Sequence, residues 1–326
     1  MADVAYRRMR YAIPLMMVLL TAAFSACEQQ AADPRETTGG GQGREAATSG
    51  DAPTTSELAN ATFTGISDEP VTLVDGEWEG EPFMKGAAAR PAVGLVQDFR
   101  LAGDLDGDGI EEAVALIWTS SGGSGTFTYL AAVARRGDRV VHLASAELGD
   151  RVAVRAAEIA AGQIVIDTVE VGPEDAHCCP GQKMRRKWTL TEDGLAEVST
   201  EDMGRTSLAD LAGVEWVLTR FGRDEDAPAE PEITLTFEGD RIGGRSGCNR
   251  YDTTVVVGDM PGKFTIAAVA GTMMACPNEI AALERRYLDR LQAVTGYSFL
   301  AGDLTLTWDG DESWGTLFFK ARKPTG

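Results

Sequence analysis

The stretch PNEIAALERRYLDRLQAVTG, residues 277–296, decides the fold class because it carries the clearest helical pattern in the chain. Pro277 suits the first position of a helix, where a missing N–H costs nothing, and Gly296 closes the run. The apolar residues that recur at helical spacing are Ile280, Leu283, Tyr287, Leu288, Leu291 and Val294. We expect this amphipathic helix to pack its apolar face against a sheet.

The sequence on both sides of this helix predicts strands. Residues 214–219 and 232–237 before it, and residues 304–308 and 316–320 after it, are short runs rich in β-branched and aromatic residues. Residues 263–269 continue the same pattern. The segment 207–322 is therefore expected to be a small β-rich domain with a single packed helix.

A second β-rich region precedes it, at residues 61–200. Residues 70–76 predict a strand that ends in an Asp75-Gly76 turn, and 113–118 (AVALIW) predict a buried strand. Further strands are expected at 94–101, 126–130, 139–144, 151–155, 163–169 and 186–190. No convincing long helix lies between 62 and 200, so the fold class is α+β, mostly β, with two small domains.

The N-terminus carries an export signal. Three arginines, at positions 7, 8 and 10, precede an apolar run at 12–24, and Ser25 and Ala26 then lead to Cys27. The run is shorter than the roughly 20 residues of a membrane span. The end of this run resembles the lipobox of bacterial lipoproteins, with Phe24 where that family usually has Leu. The resemblance implies cleavage after residue 26 and lipidation of Cys27. An ordinary secretory signal with an incidental cysteine is the alternative.

Residues 27–60 follow as a polar linker rich in Gly, Ser, Thr and Ala. Such a segment buries too little apolar surface to order itself, and it would extend roughly 30 Å as a flexible coil. We expect a cell-envelope protein anchored to the membrane by its lipid. Glu28 is not the Asp that often marks inner-membrane retention, so the periplasmic side of the outer membrane is expected if the cell has one.

The net charge excludes one class of partner. The chain has 50 acidic and 30 basic residues, and removing residues 1–26 takes away one acid and three bases, which leaves a net charge of −22. Such a surface repels nucleic acid, and its expected counter-ions are cations.

An alternating aspartate series gives the strongest chemical signal, in the stretch DLDGDGIEE at 104–112. Alternate carboxylates in a tight turn can converge on one point, which suits a hard cation. The pattern resembles the calcium loops of integrin-type repeats and EF-hand-like proteins. The ligands that this resemblance implies are the carboxylates of Asp104, Asp106, Asp108 and Glu112 and the backbone carbonyl of Ile110. The alternative is an acidic hairpin turn without an ion.

Lipidation of Cys27 would leave four of the five cysteines. An even number in an exported protein suggests disulfides. The adjacent pair Cys178 and Cys179 could bond to each other, bond to a distant cysteine or remain as buried thiols. A thiol-redox pair, or a zinc site with His177, are less favoured alternatives.

The motif GCNRY at 247–251, with TMMACP at 272–277 and Glu284 in the helix, resembles the META domain of HslJ-like envelope proteins. The match extends over about 207–320 and includes the stretches 211–216 and 234–237. It implies a small β-rich fold with a packed helix, links to heat shock and envelope stress, and no known catalysis. It also implies a Cys248–Cys276 disulfide, to which two free thiols are the alternative.

The first β-rich region is similar to bacterial lipoproteins of the LppP/LprE type. The similarity is carried by 103–112, 121–125, 149–152 and 178–180. The function of that group is itself obscure, so the similarity adds only a further link to lipoproteins.

Taken together, the sequence predicts a lipid-anchored envelope protein with a non-catalytic binding or protective role in envelope stress. It contains no P-loop, dinucleotide fingerprint or nucleophile elbow, and only two histidines. The alternatives are a thiol-redox or hydrolytic envelope enzyme, and an inhibitor or structural partner of another envelope protein. Calcium is the cofactor that the sequence suggests.

Overall fold

A computed structural model describes residues 51–322, apart from residues 83, 85, 87, 124 and 312. The predicted signal segment at 1–26, the lipidation site Cys27 and the linker up to residue 50 lie outside the described residues. Within the described part, no helix is long and apolar enough to cross a membrane.

Residues 51–60, which the sequence predicted as the end of the disordered linker, are instead ordered. They form a short helix, α1 (Thr55–Leu58), with a capping box between Thr54 and Glu57. Leu58 is fully buried, and Arg135 donates to both carboxylate oxygens of Glu57 at 2.7 and 2.6 Å. One buried leucine and one bidentate ion pair thus order a segment whose composition alone suggests disorder.

The N-terminal half continues with a two-stranded ribbon and a six-stranded sheet. The ribbon is β1 (Thr62–Phe63) and β2 (Val71–Thr72). The sheet strands are β3 (Glu77–Glu79), β4 (Ala92–Leu95), β5 (Leu101–Gly103), β6 (Glu112–Ser120), β7 (Phe127–Arg136) and β8 (Arg139–Asp150). Their order is β3-β4-β6-β7-β8, and β5 pairs antiparallel with the start of β6.

The strand predicted at 94–101 is in fact two strands, β4 and β5. A turn separates them, in which the Phe99 N–H donates to the Val96 carbonyl at 3.0 Å. Phe99 is buried in the turn while Asp98 reaches an arginine in the C-terminal half. Because apolar residues lie at both ends of 94–101, the sequence pattern predicted one continuous strand across this turn.

A four-stranded meander covers one face of the six-stranded sheet. Its strands are β9 (Ala153–Ala160), β10 (Gln163–Glu170), β11 (Gln182–Thr191) and β12 (Gly194–Arg205). Leu116 and Leu130 of the first sheet pack with Ile164, Ile166 and Trp188 of the meander. On the opposite face, a second cluster joins Ile117 and Val133 to Leu58 and Phe63. Strand β6 is therefore buried on both faces, which explains its continuous apolar run.

The C-terminal half is a nearly closed barrel with a helix. A 3₁₀ helix (Leu208–Leu211) precedes β13 (Trp216–Arg220), β14 (Thr234–Glu238), β15 (Arg241–Arg245), β16 (Arg250–Val257), β17 (Phe264–Ile266), β18 (Ala270–Gly271), α2 (Asn278–Gln292), β19 (Val294–Leu300), β20 (Asp303–Asp309) and β21 (Trp314–Ala321). The strand order is β17-β16-β15-β14-β13-β21-β20-β19, with β18 on β16. The two end strands approach each other, because the Tyr297 N–H donates to the Gly262 carbonyl at 2.8 Å.

Helix α2 confirms the predicted packed helix, and Tyr287 and Leu291 of its apolar stripe are fully buried in the barrel core. It ends earlier than predicted. Val294 and Gly296 belong to β19, because an apolar residue every second position also suits a strand. The fold class is therefore mostly β with one long helix, as the sequence predicts.

The two halves meet in a seam that contains both apolar and charged contacts. Ala153 and Val169 of the meander belong to the core cluster of the barrel. Asp210 accepts hydrogen bonds from Lys183 at 2.7 Å and Arg155 at 3.4 Å.

Candidate functional site

The aspartate loop joins β5 to β6, and its own side chains hold its backbone. Asp104 accepts the N–H groups of Gly107 at 2.7 Å and Gly109 at 3.0 Å through its two oxygens. Asp106 accepts the Asp108 N–H at 3.1 Å. Gly107 and Gly109 have φ angles of 82° and 83°, which side chains other than glycine rarely adopt.

This folding brings the three predicted aspartate ligands together. One carboxylate oxygen from each of Asp104, Asp106 and Asp108 lies within 4.8 Å of the other two. Ile110, whose carbonyl was the predicted backbone ligand, donates its N–H to Asp108 at 2.8 Å. The loop therefore brings three of the four predicted carboxylate ligands into one cluster.

Glu112, the fifth predicted ligand, lies at the base of the loop and is fully buried. Its Oε2 accepts the Leu105 N–H at 2.9 Å, whereas Oε1 is buried without a hydrogen-bond partner. Burial raises the pKa of Glu112, and the charges of Asp106 and Asp108 add to this rise. A loop that gathers three carboxylates over 104–108 fits a site for a hard cation, and Glu112 adds a buried, unpartnered oxygen at its base.

An arginine that the sequence analysis missed also faces the loop. Arg136, at the end of β7, lies 3.6 Å from Asp106 and 3.9 Å from Asp108. Its side chain is half-exposed, so it balances part of the negative charge without filling the cluster. Only the fold brings it there, since it is distant from the loop in sequence.

The adjacent cysteines Cys178 and Cys179 lie on the loop between β10 and β11. They are free cysteines, and their sulfur atoms lie 2.7 Å apart. Since a disulfide bond is about 2.05 Å long, the bond suggested between them is not formed in the structure. Neither residue is bonded to Cys248 or Cys276. Of the alternatives considered for this pair, two unbonded thiols describe the structure, although only Cys179 is buried.

The GCNRY motif at 247–251 forms a hydrogen-bond network with α2. Glu284 accepts the Ser246 hydroxyl at 2.7 Å and both the backbone and the side-chain N–H groups of Asn249, each at 2.9 Å. Burial alone would raise the pKa of Glu284, but these hydrogen bonds outweigh it and lower the pKa. The Asn249 Oδ1 in turn accepts the Thr272 hydroxyl and the Met274 N–H, each at 2.8 Å.

A disulfide closes the same cluster. Cys248 and Cys276 are bonded, with a Cα–Cα distance of 6.3 Å and a separation of 28 positions in the chain. The bond and Asn249 together fix the segment that leads into α2.

Residues 209–322 match the family model of the META domain. Residues 209–322 form a META domain. This confirms the resemblance that was based on 247–251 and 272–277. The similarity of the first half to LppP/LprE-type lipoproteins remains a prediction.

Two solved structures also resemble part of the chain. One, described as an NMR structure of a protein, is 20% identical, with a TM-score of 0.29, and the match covers 35% of this chain and 94% of the other. A second, an NMR structure of a protein from Burkholderia xenovorans, is 29% identical, with a TM-score of 0.28, and the match covers 36% and 86%. Among curated proteins, none matches the chain.

Within the META domain, the signature residues act on structure. Tyr251 donates to the Thr234 carbonyl at 2.9 Å and shares a 2.7 Å hydrogen bond with Tyr287 of α2, deep in the core. Both tyrosines are buried, and burial raises the pKa of each. The motif therefore joins strand, disulfide and helix.

Proposed function

We propose that this chain is a lipid-anchored envelope protein that binds calcium through its aspartate loop and has a non-catalytic binding or protective role in envelope stress. The basic and apolar pattern that ends at Cys27 supports the anchor. The Cys248–Cys276 bond supports export, since disulfides persist in oxidising compartments. The META domain is the feature that links the proposal to envelope stress.

One observation carries the calcium part of the proposal. The loop gathers oxygens from Asp104, Asp106 and Asp108 within 4.8 Å of one another, and Glu112 at its base is fully buried and keeps one oxygen unpartnered. Three clustered carboxylates, faced by the half-exposed Arg136, leave excess negative charge for a divalent cation. Exported modules with such loops bind calcium at about 10⁻⁴ to 10⁻³ M.

Calorimetry with calcium chloride on the purified chain tests this proposal. We expect one site in the millimolar to submillimolar range, and its loss in Asp106→Asn, because that change removes a ligand charge without changing size. Asp193→Asn, an exposed acid in the β11–β12 turn, is the matched control and should bind as the parent does. Absence of a binding signal up to several millimolar would refute the calcium site.

Intact-mass measurement of the chain extracted from membranes tests the anchor. A chain that begins at Cys27 and carries acyl groups supports the proposal. A chain that keeps residues 1–26, or begins at Cys27 without acyl groups, contradicts it.

A protein partner in the envelope belongs to the same proposal. Met273 and Met274 are 98% and 58% exposed on the segment that the disulfide and Asn249 hold, and methionine is enriched at protein interfaces. We expect Met273→Asp to abolish a specific cross-link between this chain and a partner protein in intact cells, whereas Met203→Asp on β12 should leave that cross-link intact. Equal cross-linking of both variants would exclude the segment that carries Met273 and Met274 as the binding surface.

A further inference from the structure

The adjacent cysteines differ sharply in access to solvent. Cys178 is exposed, whereas Cys179 is buried, with 6% of its surface accessible. Their sulfurs lie 2.7 Å apart, so a bond between them needs a movement of only about 0.7 Å. One sulfur can therefore meet an external reactant while the other stays within reach behind it.

The loop that carries the pair is braced by Asp175. The Asp175 carboxylate accepts the N–H groups of Gly172 and Gly181, both at 2.8 Å, and binds the guanidinium of Arg205. These contacts lower the pKa of Asp175 to about 2, with Arg205 as the largest cause. Because Gly172 and Gly181 flank the cysteines, the brace closes the loop and keeps the two sulfurs side by side.

The pair also faces the META domain across the seam. Cys178 and Cys179 line a cavity of about 190 Å³ together with Lys263 and Tyr297. Burial raises the pKa of the Cys179 thiol, the neighbouring Cys178 adds to the rise, and Lys263 opposes it. The buried Cys179 is thus the less accessible sulfur, and Lys263, which opposes the rise of its pKa, belongs to the META domain.

We propose that Cys178 and Cys179 form a thiol–disulfide exchange site, with Cys178 as the sulfur that reacts with an external disulfide or dithiol. A bond between adjacent residues closes a small strained ring, and strained or exposed disulfides are the easily reduced ones. The Cys248–Cys276 bond, between well-separated residues backed by a hydrogen-bond network, is the structural bond of the same chain.

An external disulfide accepts the two electrons that the cysteine pair loses in the exchange. The Cys178 thiolate attacks one sulfur of an external disulfide, the bond in that disulfide breaks and one thiolate leaves. Cys179 then gives its proton to water, and its thiolate attacks the Cys178 sulfur. The mixed disulfide breaks and the second thiolate leaves, so two electrons pass from the pair to the external disulfide. Reduction of the ring by an external dithiol is the reverse process.

A redox titration of the full-length chain in detergent tests this proposal. The chain is equilibrated in glutathione buffers of increasing oxidised fraction, free thiols are alkylated, and peptide mass analysis assigns each cysteine. We expect Cys178 and Cys179 to form a disulfide at a defined ratio of oxidised to reduced glutathione. That disulfide should be reduced again under conditions in which Cys248–Cys276 stays oxidised. A pair that remains reduced in fully oxidised glutathione, or that opens only together with Cys248–Cys276, would overturn the proposal.

Two single variants test the roles of the two sulfurs. Cys179→Ser should accumulate a stable mixed disulfide with glutathione, because no second sulfur remains to resolve it. Cys178→Ser should react at least tenfold more slowly, because only the buried sulfur is left. His177→Asn, beside the pair, is the matched control and should titrate as the parent does. Equal rates in the two cysteine variants would contradict the assigned roles.

Discussion

At the scale of single residues, Glu284 shows how one carboxylate holds the META signature together. It accepts three hydrogen bonds from Ser246 and Asn249, and Asn249 then fixes Met274. Because hydrogen bonds to a charged acceptor are the stronger kind, removing that charge should affect the disulfide segment and the helix together.

We expect Glu284→Gln to lower the free energy of unfolding by about 1.5 to 3 kcal/mol, since the amide cannot accept all three hydrogen bonds. Urea unfolding followed by tryptophan fluorescence measures this loss. Glu238→Gln, an exposed acid on β14, is the control and should change stability by less than about 0.5 kcal/mol. Equal stability of the two variants would contradict the assigned role of Glu284.

The residues of the two sites were predictable to different degrees. Asp104, Asp106 and Asp108 lie within five positions of one another, so their spacing alone predicted that they share a turn. Arg136 and Asp175 reach their sites through strand pairing and loop closure. No local pattern marks such residues, because their roles depend on contacts that form only in the folded chain.

At the scale of elements, the sequence analysis missed strand β12, which has no buried face. Most residues of β12 are exposed, so the alternation that marks a strand is absent from 194–205. The predicted helix 277–296 matched α2 except at its end, where β19 begins. Hydrophobic periodicity therefore reflects which face of an element is buried, and it reveals a strand or helix only where such a face exists.

The β19–β20 hairpin places in the seam a carboxyl group with a raised pKa, that of Asp303. Its turn binds β9 through the Gly302 N–H and the Val154 carbonyl at 3.0 Å. Asp303, at the start of β20, is mostly buried, with Lys320 at 3.9 Å and one oxygen without a hydrogen-bond partner. Burial raises its pKa to about 6; Asp98 also raises it, whereas Lys320 and Arg220 lower it.

Because the folded pKa exceeds the usual 3.8, folding favours the protonated carboxyl. This contribution to stability is complete below pH 3.8 and is lost as the pH rises through about 6. We expect Asp303→Asn to gain stability relative to the parent between pH 4 and pH 7, by up to about 3 kcal/mol. Thermal unfolding at a series of pH values measures the difference. Asp309→Asn, exposed at the other end of β20, should show no such trend, and a constant difference for Asp303→Asn would contradict the assignment.

At the scale of the whole molecule, the seam makes the two β-rich halves depend on each other. Asp210, with 10% of its side chain exposed, pairs with Lys183 and Arg155 of the meander, and it also accepts the Ser207 N–H at 2.8 Å. Arg220 of the META domain reaches Asp98 at 2.7 Å. The apolar residues Ala153 and Val169 extend the barrel core across the same boundary.

We therefore expect the chain to unfold in one cooperative transition, and Asp210→Asn to shift that whole transition to lower temperature. The variant leaves Lys183 and Arg155 without their carboxylate, a loss of about 3 kcal/mol for a buried pair. Scanning calorimetry measures both the number of transitions and the shift. Asp252→Asn breaks the exposed Arg241–Asp252 pair and should change stability by less than about 1 kcal/mol. Two separate transitions, with only one of them moved by Asp210→Asn, would show that the halves fold independently and that the seam couples them little.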